Sequence, residues 1–523
     1  MWRFTLLLFS LVVFYGITVL SQQSVGSNYP DNPLRIEIPT RSANETYRII
    51  PCGVNGLILF FRSQEPTVDG KINWYFTCYD TNFQQKWVNN VPMNSEHDYR
   101  YNRDGTDTLA LLFVQGSKSK NPENSFEILR IVQSTGTMIL NNGILEPGSV
   151  VDAFSVQKGR AWLGVNIKDQ AGKIVNMELK QGITRPFSLG VGNRITLLWM
   201  QPDTSSLFIS AIVGRQISKK INEYYLVQYD TNGSIKHESL IGTQSGERTL
   251  TRVQGTGLNN GSAMLLGSYG QGLPNSTNKN RPVEVSTGFF ASTIQNGSQK
   301  SISYYNFLEL QNASSIVGEE DMMNLKKKAL RKNKSLSEYS LDYSVLLHDI
   351  FFYNDQYILT AEFFSPQYHT ESFTDFDFYG RPYTNNYSVF DGYRFYDAVV
   401  AGFDLEGKLL WDNYIEIRNM VSFDLSPKVI IYPSVNNLVL CYVSDGKIGS
   451  KIIQENRVVE KLDFTAIDLF YPEDKLLSEN KGTLLHWYGN YFLSFGYQEI
   501  KNIAMETNNK RLVFYFSKLR FDQ

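Results

Sequence analysis

Along most of the chain, a short run of alternating apolar and polar side chains leads into a tight turn and then into a run that is apolar throughout. A longer strand-like run follows, ending at Asp-Thr-Asn-Gly or a relative of it, and beyond it comes a fourth, more polar run. The uniformly apolar member begins near Leu57, Leu109, Ala161, Leu207, Ala263, Tyr357, Leu438 and Phe492, at gaps of 52, 52, 46, 56, 94, 81 and 54 residues. Alternation predicts strands with one wet face, and an apolar run of this length between turn signals predicts a strand buried on both faces. The turns before the apolar runs, such as Val54-Asn55-Gly56, Asn259-Asn260-Gly261 and Asn436-Asn437, use residues that reach positive φ or bond their own backbone, as hairpin reversals require.

Four antiparallel strands per fifty or so residues, repeated about eight times, predict an all-β chain folded as a β-propeller of about eight four-stranded blades, with seven as the alternative. The last strand-like run, Arg511 to Phe516, stands third in its unit, and Leu34 to Pro39 precedes the first unit without a place. Pairing the two would close the ring, cover both edges and favour eight blades.

The two long gaps hold insertions. Residues 315–339 predict a helix, with Glu319, Glu320 and Asp321 at its start and Lys326 to Lys328 and Arg331 to Lys334 at its end, a charge order that complements the helix dipole. Met322, Leu325 and Ala329 give it a narrow apolar stripe suited to lying on a surface. Residues 363–396 are rich in aromatic rings set among Asp, Asn, Ser and Gly, with little aliphatic material to bury them, and predict a long loop. Its rings Phe373, Phe376, Phe378, Tyr379, Tyr383, Tyr387, Phe390, Tyr393 and Phe395 are the candidate partner-binding residues, because Tyr and Phe offer contact area at low entropic cost. A loop folded over one propeller face, or rings stacking on sugars, stays open as the other reading.

Composition narrows the function more than it names it. Aromatic residues make up 14% of the 523, with 31 Tyr and 33 Phe, which suits strands. With 50 basic and 52 acidic side chains the formal charge is -2, so no global field draws in nucleic acid. Met1 to Gln23 reads as an export leader, with an apolar run from Phe4 to Leu20 and small residues at Val19 and Ser21, giving a signal peptide over 1–21 and one mature domain over 22–523. An uncleaved signal anchor is the alternative; no second apolar span follows, so the mature chain is expected to have no transmembrane span. The expected location is periplasmic, outer-membrane-associated or extracellular.

Cys52, Cys78 and Cys441 are too scattered for a metal knuckle or a disulfide framework and read as buried thiols. No two of His97, His237, His348, His369 and His486 have metal-ligand spacing, and no nucleophile motif, phosphate loop or catalytic site is expected, nor any metal or cofactor. Asn102 to Asp107 only faintly suggests a calcium loop and reads as a turn, and Asp375 and Asp377 flanking Phe376 do not by themselves make a glycosidase pair. Eight Asn-x-Ser/Thr sequons, at Asn44, Asn232, Asn260, Asn275, Asn296, Asn312, Asn333 and Asn386, would carry glycans only in a eukaryotic secretory pathway.

The run Gly402 to Asp412, G-F-D-L-E-G-K-L-L-W-D, with an echo at Tyr79 to Trp87, resembles the repeat of quinoprotein-type propellers. Relatives of those include the propeller subunit of the bacterial outer-membrane barrel-assembly machine, and leader and blade style are also similar to uncharacterised exported propellers of Bacteroidota. Quinone-dependent enzymes of that shape use a vicinal cysteine pair, which this chain lacks. The function expected is a non-catalytic protein-protein interaction scaffold of the cell envelope or extracellular space, with the aromatic insertion and one propeller face binding another envelope protein or outer-membrane complex; the resemblance supports the fold and hints at that function. A carbohydrate-binding propeller, or a glycan hydrolase or lyase with carboxylates at the central channel, is the alternative.

Overall fold

The computed structural model describes residues 34–521 apart from 43–45, 106, 116–123, 193, 204–205, 219–220, 245–247, 257–260, 272–284, 337–338, 340–343, 377 and 505–508. The expected leader and three of the sequons, Asn44, Asn260 and Asn275, lie outside the described residues. The strands form eight antiparallel sheets whose core is a path of four strands. Blade 1 comprises Arg48–Pro51, Leu57–Pro66, Lys71–Tyr79 and Gln85–Asn94, and blade 2 His97–Asp104, Thr108–Gln115, Asn124–Val132 and Met138–Leu145. Blade 3 runs from Ser149–Gln157 to Ile183–Ser188, blade 4 from Ile195–Pro202 to Ile235–Gln244, and blade 5 from Arg248–Gly255 to Ser298–Asn306. Blade 6 contains Ser344–Leu347, Gln356–Phe376, Pro382–Phe403 and Leu409–Ser422, with Phe351–Tyr353 as a fifth, short strand. Blade 7 runs from Ile430–Pro433 to Arg457–Ala466. Blade 8 is made of Asp474–Tyr488, Tyr491–Asn502, Lys510–Arg520 and, as its outermost strand, Arg35–Pro39.

The architecture is therefore the eight-bladed all-β propeller that the repeat predicts, closed by the N-terminal strand. Ile36 faces Phe516 and Ile38 faces Phe514 in the closing pair. Arg511 ties the seam across the sheet, donating to Glu37 on the outermost strand at 2.9 Å and to Asp474 on the innermost at 2.9 Å. Burial works against the charge on Asp474, but the bonds from Arg511 and from the Tyr471 backbone prevail and hold its carboxyl below the usual range.

The core lies between blades, because each sheet presents both faces to neighbours. In the second strand of blade 1, Ile58 and Phe60 pack with Leu109 and Leu111 of blade 2, while Leu57 and Leu59 pack with Leu493 and Phe514 of blade 8. Alternate residues of one strand thus enter two different cores, which is why these strands are apolar throughout.

The turn that ends the third strand is built the same way in blades 1, 4 and 6. Asp80 Oδ1 accepts from the backbone N–H of Asn82 and Gln84, each at 2.8 Å, and Asp230 and Asp404 hold their own loops identically through residues two and four ahead. The fourth residue of each turn has positive φ, 85° at Gly233, 81° at Gly407 and 60° at Phe83. Seven residues after the Asp, Trp87 reaches the next blade and donates Nε1 to Gln133 O at 2.8 Å, its ring against Gly136. In blade 1 the turn that reverses the chain thus also leads to the contact that locks the blade to its successor.

The insertion between blades 5 and 6 forms two helices, Ala313–Val317 and Glu319–Arg331, instead of one running to Tyr339. Gly318, at φ 95°, breaks them apart. Met322 and Ala329 are buried and Leu325 packs beside them against Phe307, Leu308 and Phe363, so the narrow stripe seats the helix on the junction of blades 5 and 6. Asp412 anchors the entry, accepting from the backbone N–H of Gln311 at 2.7 Å and of Asn312 at 2.9 Å. All three cysteines are buried and free, and burial pushes the Cys441 thiol up to about 12.

Candidate interaction site

Residues 363–396, expected as a loop, are instead the outer part of a β-hairpin made by Gln356–Phe376 and Pro382–Phe403. The reason is local: Tyr, Phe and Thr alternate with polar residues along both arms, and the arms join through a short turn in which Gly380 has φ 71°. The pairing runs unbroken in sense from Tyr357 opposite Phe403 to Phe376 opposite Pro382, with two bulges. Tyr396 is the extra residue at one and Asp391 at the other, which adds twist to the ribbon.

Within the propeller the hairpin is flanked on both sides. Ser344 pairs with Phe364 on one edge, and Ser422 with Tyr393 on the other. Beyond those pairs, among the described residues, neither arm has a second neighbour, so Ser365 to Phe376 projects by roughly 40 Å at about 3.3 Å per residue.

The nine candidate rings divide into three groups. Phe395, only 1% exposed, belongs to the core between blades 6 and 7 with Phe364, Ala398 and Val429, so the expectation that it is displayed is corrected. It fails because the strand has already entered the blade at that point. Phe390 and Tyr393 are half-buried at the foot, where Phe390 meets Tyr393 at 5.0 Å and Phe423 at 6.1 Å between centroids. The other six are exposed. Phe373 and Tyr387 stack face to face, 4.5 Å apart and 6° from parallel, and Phe376, Phe378 and Tyr379 crowd the tip, Phe378 being 98% exposed. Tyr383 donates to Asp375 Oδ2 at 3.3 Å.

The register places Glu371, Phe373 and Asp375 on one face with Tyr383, Asn385 and Tyr387. His369 stands at the lower end of that face, Nδ1 2.6 Å from Asp391 and Nε2 3.3 Å from Glu371. The hydrogen bond to Asp391, and then that to Glu371, raise its pKa above the ordinary histidine value. From Ser365 to Gly392 the chain carries Glu371, Asp375, Asp377 and Asp391 against Arg381 alone among fixed charges. The ribbon is therefore aromatic and acidic, a surface on which Arg and Lys find both π faces and carboxylates.

Elsewhere the candidate chemistry is structural. His97 is buried between Glu127 and Ser125, each at 2.8 Å, and His486 stacks on Tyr432 at 4.9 Å. Asp107, in the stretch that suggested a calcium loop, accepts from Ser134 N at 3.1 Å and Ser134 Oγ at 2.8 Å. Among the described residues no three His, Cys, Asp or Glu side chains are grouped to hold a metal ion. Asn312 is engaged by Asp412, whereas Asn232, Asn296, Asn333 and Asn386 are exposed. No described helix is long and apolar enough to cross a membrane.

A second feature escaped the sequence reading. The innermost strand of blade 6 is interrupted at His348 to Ile350: His348 N bonds Thr360 O at 3.0 Å and pairing resumes at Phe351 opposite Ile358, so Asp349 and Ile350 together face Leu359. The interruption leaves a cleft of about 360 Å³ against the first strand of blade 7, lined by His348, Asp349, Phe351, Thr360, Val429 and Ile430 among others. Its one signal in the sequence was the pair Thr360 and Glu362 inside the otherwise apolar run Tyr357 to Phe364.

The fold and the displayed ribbon define the class: a β-propeller that carries a projecting aromatic hairpin. No family model and no curated protein matches this sequence. Solved structures match it only distantly. The WD40 domain of SCAP from fission yeast is 8% identical, with 93% of this chain and 97% of that one covered and a TM-score of 0.37. The polysaccharide lyase Uly1 is 8% identical over 80% of this chain and 89% of its own, with a TM-score of 0.38. A post-proline cleaving enzyme from Rickettsia typhi is 10% identical over 89% of this chain but 59% of its own, with a TM-score of 0.34. Likeness at this level carries no activity across, and the fold rests on the sheet pairing itself.

Proposed function

We infer that the protein is a non-catalytic interaction scaffold of the cell envelope or extracellular space, which docks a protein partner through the outer part of the blade 6 hairpin. The observation that carries this is the display of six rings on a ribbon that, among the described residues, has no neighbour on either edge beyond Phe364 and Tyr393. An apolar surface so placed contributes nothing to the propeller core, and contiguous exposed rings of this kind mark binding surfaces. The excess of carboxylates beside them favours a partner presenting Arg or Lys. Export through the leader at 1–21, kinship with quinoprotein-type or Bacteroidota propellers, and a partner within an outer-membrane complex belong to the same reading; they rest on the sequence features described above.

The test is tagged purification from the native envelope, with partners identified by mass spectrometry, for the wild type and for a variant combining Phe373→Ser with Tyr387→Ser. Both rings are solvent-exposed, so the propeller keeps its thermal midpoint within a few degrees. The expected result is a specific partner that the variant retains at less than a tenth of the wild-type yield. Equal recovery by the variant, or a wild type that is strictly monomeric and partnerless, contradicts the reading.

A further inference from the structure

The two faces of the hairpin ribbon differ in chemistry. On one, Thr370, Ser372 and Thr374 stand opposite Ser388, Asn386 and Thr384, all uncharged. On the other, the first arm presents acid, ring and acid at alternate positions, Glu371, Phe373 and Asp375. Strand geometry sets the two carboxylates about 13 Å apart with the ring between them. The Glu371 side chain is 65% exposed, and Phe373 is 48% exposed although Tyr387 of the second arm stacks on it. Each carboxylate is steered by a neighbour, Glu371 by His369 Nε2 at 3.3 Å and Asp375 Oδ1 by the backbone N–H of Phe376 at 2.9 Å. An ionised carboxylate keeps further acceptor positions beyond such bonds.

The same arm has an open edge. The innermost strand of blade 6 pairs with it as far as Ser344 opposite Phe364, and among the described residues no strand continues that line past Ser365. An extended segment added there would prolong the blade's own sheet, its backbone pairing with the N–H and C=O groups of the edge. Its side chains would stand about 5 Å from Glu371, Phe373 and Asp375. A second copy of this arm is a poor occupant: aligned about Phe373 in either direction, it sets carboxylate against carboxylate, which is destabilising. The second arm offers Tyr383, Asn385 and Tyr387 on this face and no charge, so the first arm's edge alone selects for a basic strand.

We propose that the partner docks as a β-strand along the free edge of the first arm, carrying Arg at two positions four residues apart and an apolar side chain midway between them. The two guanidinium groups pair with Glu371 and Asp375, and the apolar side chain packs beside Phe373. Main-chain pairing along the edge supplies affinity, and the alternate side chains supply selectivity. The pattern reads the same in both directions, so it fits a parallel or an antiparallel strand. This rests on the docking reading above and narrows it to one edge, one face and one sequence pattern.

Fluorescence anisotropy of the labelled peptide Thr-Arg-Thr-Val-Thr-Arg-Thr, titrated with the full chain, tests it. One control peptide has Glu for both Arg, and another has Pro for the two inner Thr, which removes N–H groups that strand pairing needs. The expected result is saturable binding that each control weakens at least tenfold. Glu371→Gln combined with Asp375→Asn weakens it as much, whereas Ser372→Ala combined with Thr374→Ala, on the other face, leaves it within threefold. Absence of saturable binding, equal binding of either control peptide, or an equal effect of the two variant pairs overturns the proposal. The peptide comparisons use the wild-type chain and stand whether or not the variants fold. If the peptide does not bind but Phe373→Ser with Tyr387→Ser still loses the native partner, the strand inference falls and the hairpin remains the docking element.

Discussion

Asp397 shows how one side chain reports on the foot of the hairpin. It pairs in register with Phe363 on one side and Glu416 on the other, and is 9% exposed. Burial, and then repulsion from Glu416, push its carboxyl up to about 7. The folded-state pKa therefore lies above the unfolded one. The contribution of the neutral carboxyl to stability is complete below the unfolded value and is lost as pH rises through about 7. Asp397→Asn is expected to match the wild type in urea midpoint near pH 4 and to exceed it at pH 8 by the equivalent of about 2 kcal/mol, allowing for solvent relaxation around the group. Equal midpoints at both pH values contradict this account. That a polar residue breaks the apolar run Phe395 to Phe403 was legible in the sequence; its partner was not, because Glu416 comes from the next strand and register is set by two bulges that no local pattern announces. The same holds for Glu362, whose backbone donors, Lys428 N–H and Val429 N–H, lie in the connection to blade 7.

Among elements, the recurring Asp turn carries most of what could be read in advance. Asp-Thr-Asn-Gly specifies its own geometry through side-chain bonds two and four residues ahead and a glycine at positive φ, so it signals the same reversal wherever it occurs. Blade 1 departs from it by placing Phe83 at the strained position. The cost of φ 60° in a bulky residue is roughly 1 to 2 kcal/mol, whereas burying a phenyl ring contributes about 2 to 3 kcal/mol. Phe83 has that burial, stacked on Trp487 at 5.7 Å and edge-on to Phe516 at 4.9 Å across the junction with blade 8. Packing outweighs strain, and Phe83→Gly, although it restores the turn's preferred residue, is expected to lower stability by about 1 to 2 kcal/mol, read as a fall in thermal midpoint. A rise in midpoint would show that the strain dominates. The aromatic segment was misread as a loop for a related reason. Its arms lack the aliphatic residues that mark buried strands, yet Thr, Tyr and Phe suffice to pair a ribbon that has no core to enter. The identity of the displayed rings could be read from composition; their faces required the register.

For the molecule as a whole, the period near fifty residues and the incomplete last unit were enough to predict eight blades and the seam. The pairing of Arg35–Pro39 with Lys510–Arg520 bears both out. Each blade still ends on an outer strand with one open edge, but beyond Phe364 and Tyr393 both edges of the blade 6 hairpin are open among the described residues, so it stands out as the place where chain is exposed without structural need. On the proposed function the propeller is a rigid platform and the hairpin its docking element. The decisive measurement replaces residues 367–392 by an Asn-Gly turn and follows thermal midpoint and co-purifying partner on the same preparation. The midpoint is expected to stay within a few degrees of the wild type while the partner is lost. Retention of the partner at the wild-type level, or collapse of the propeller on removal of the ribbon, would contradict it.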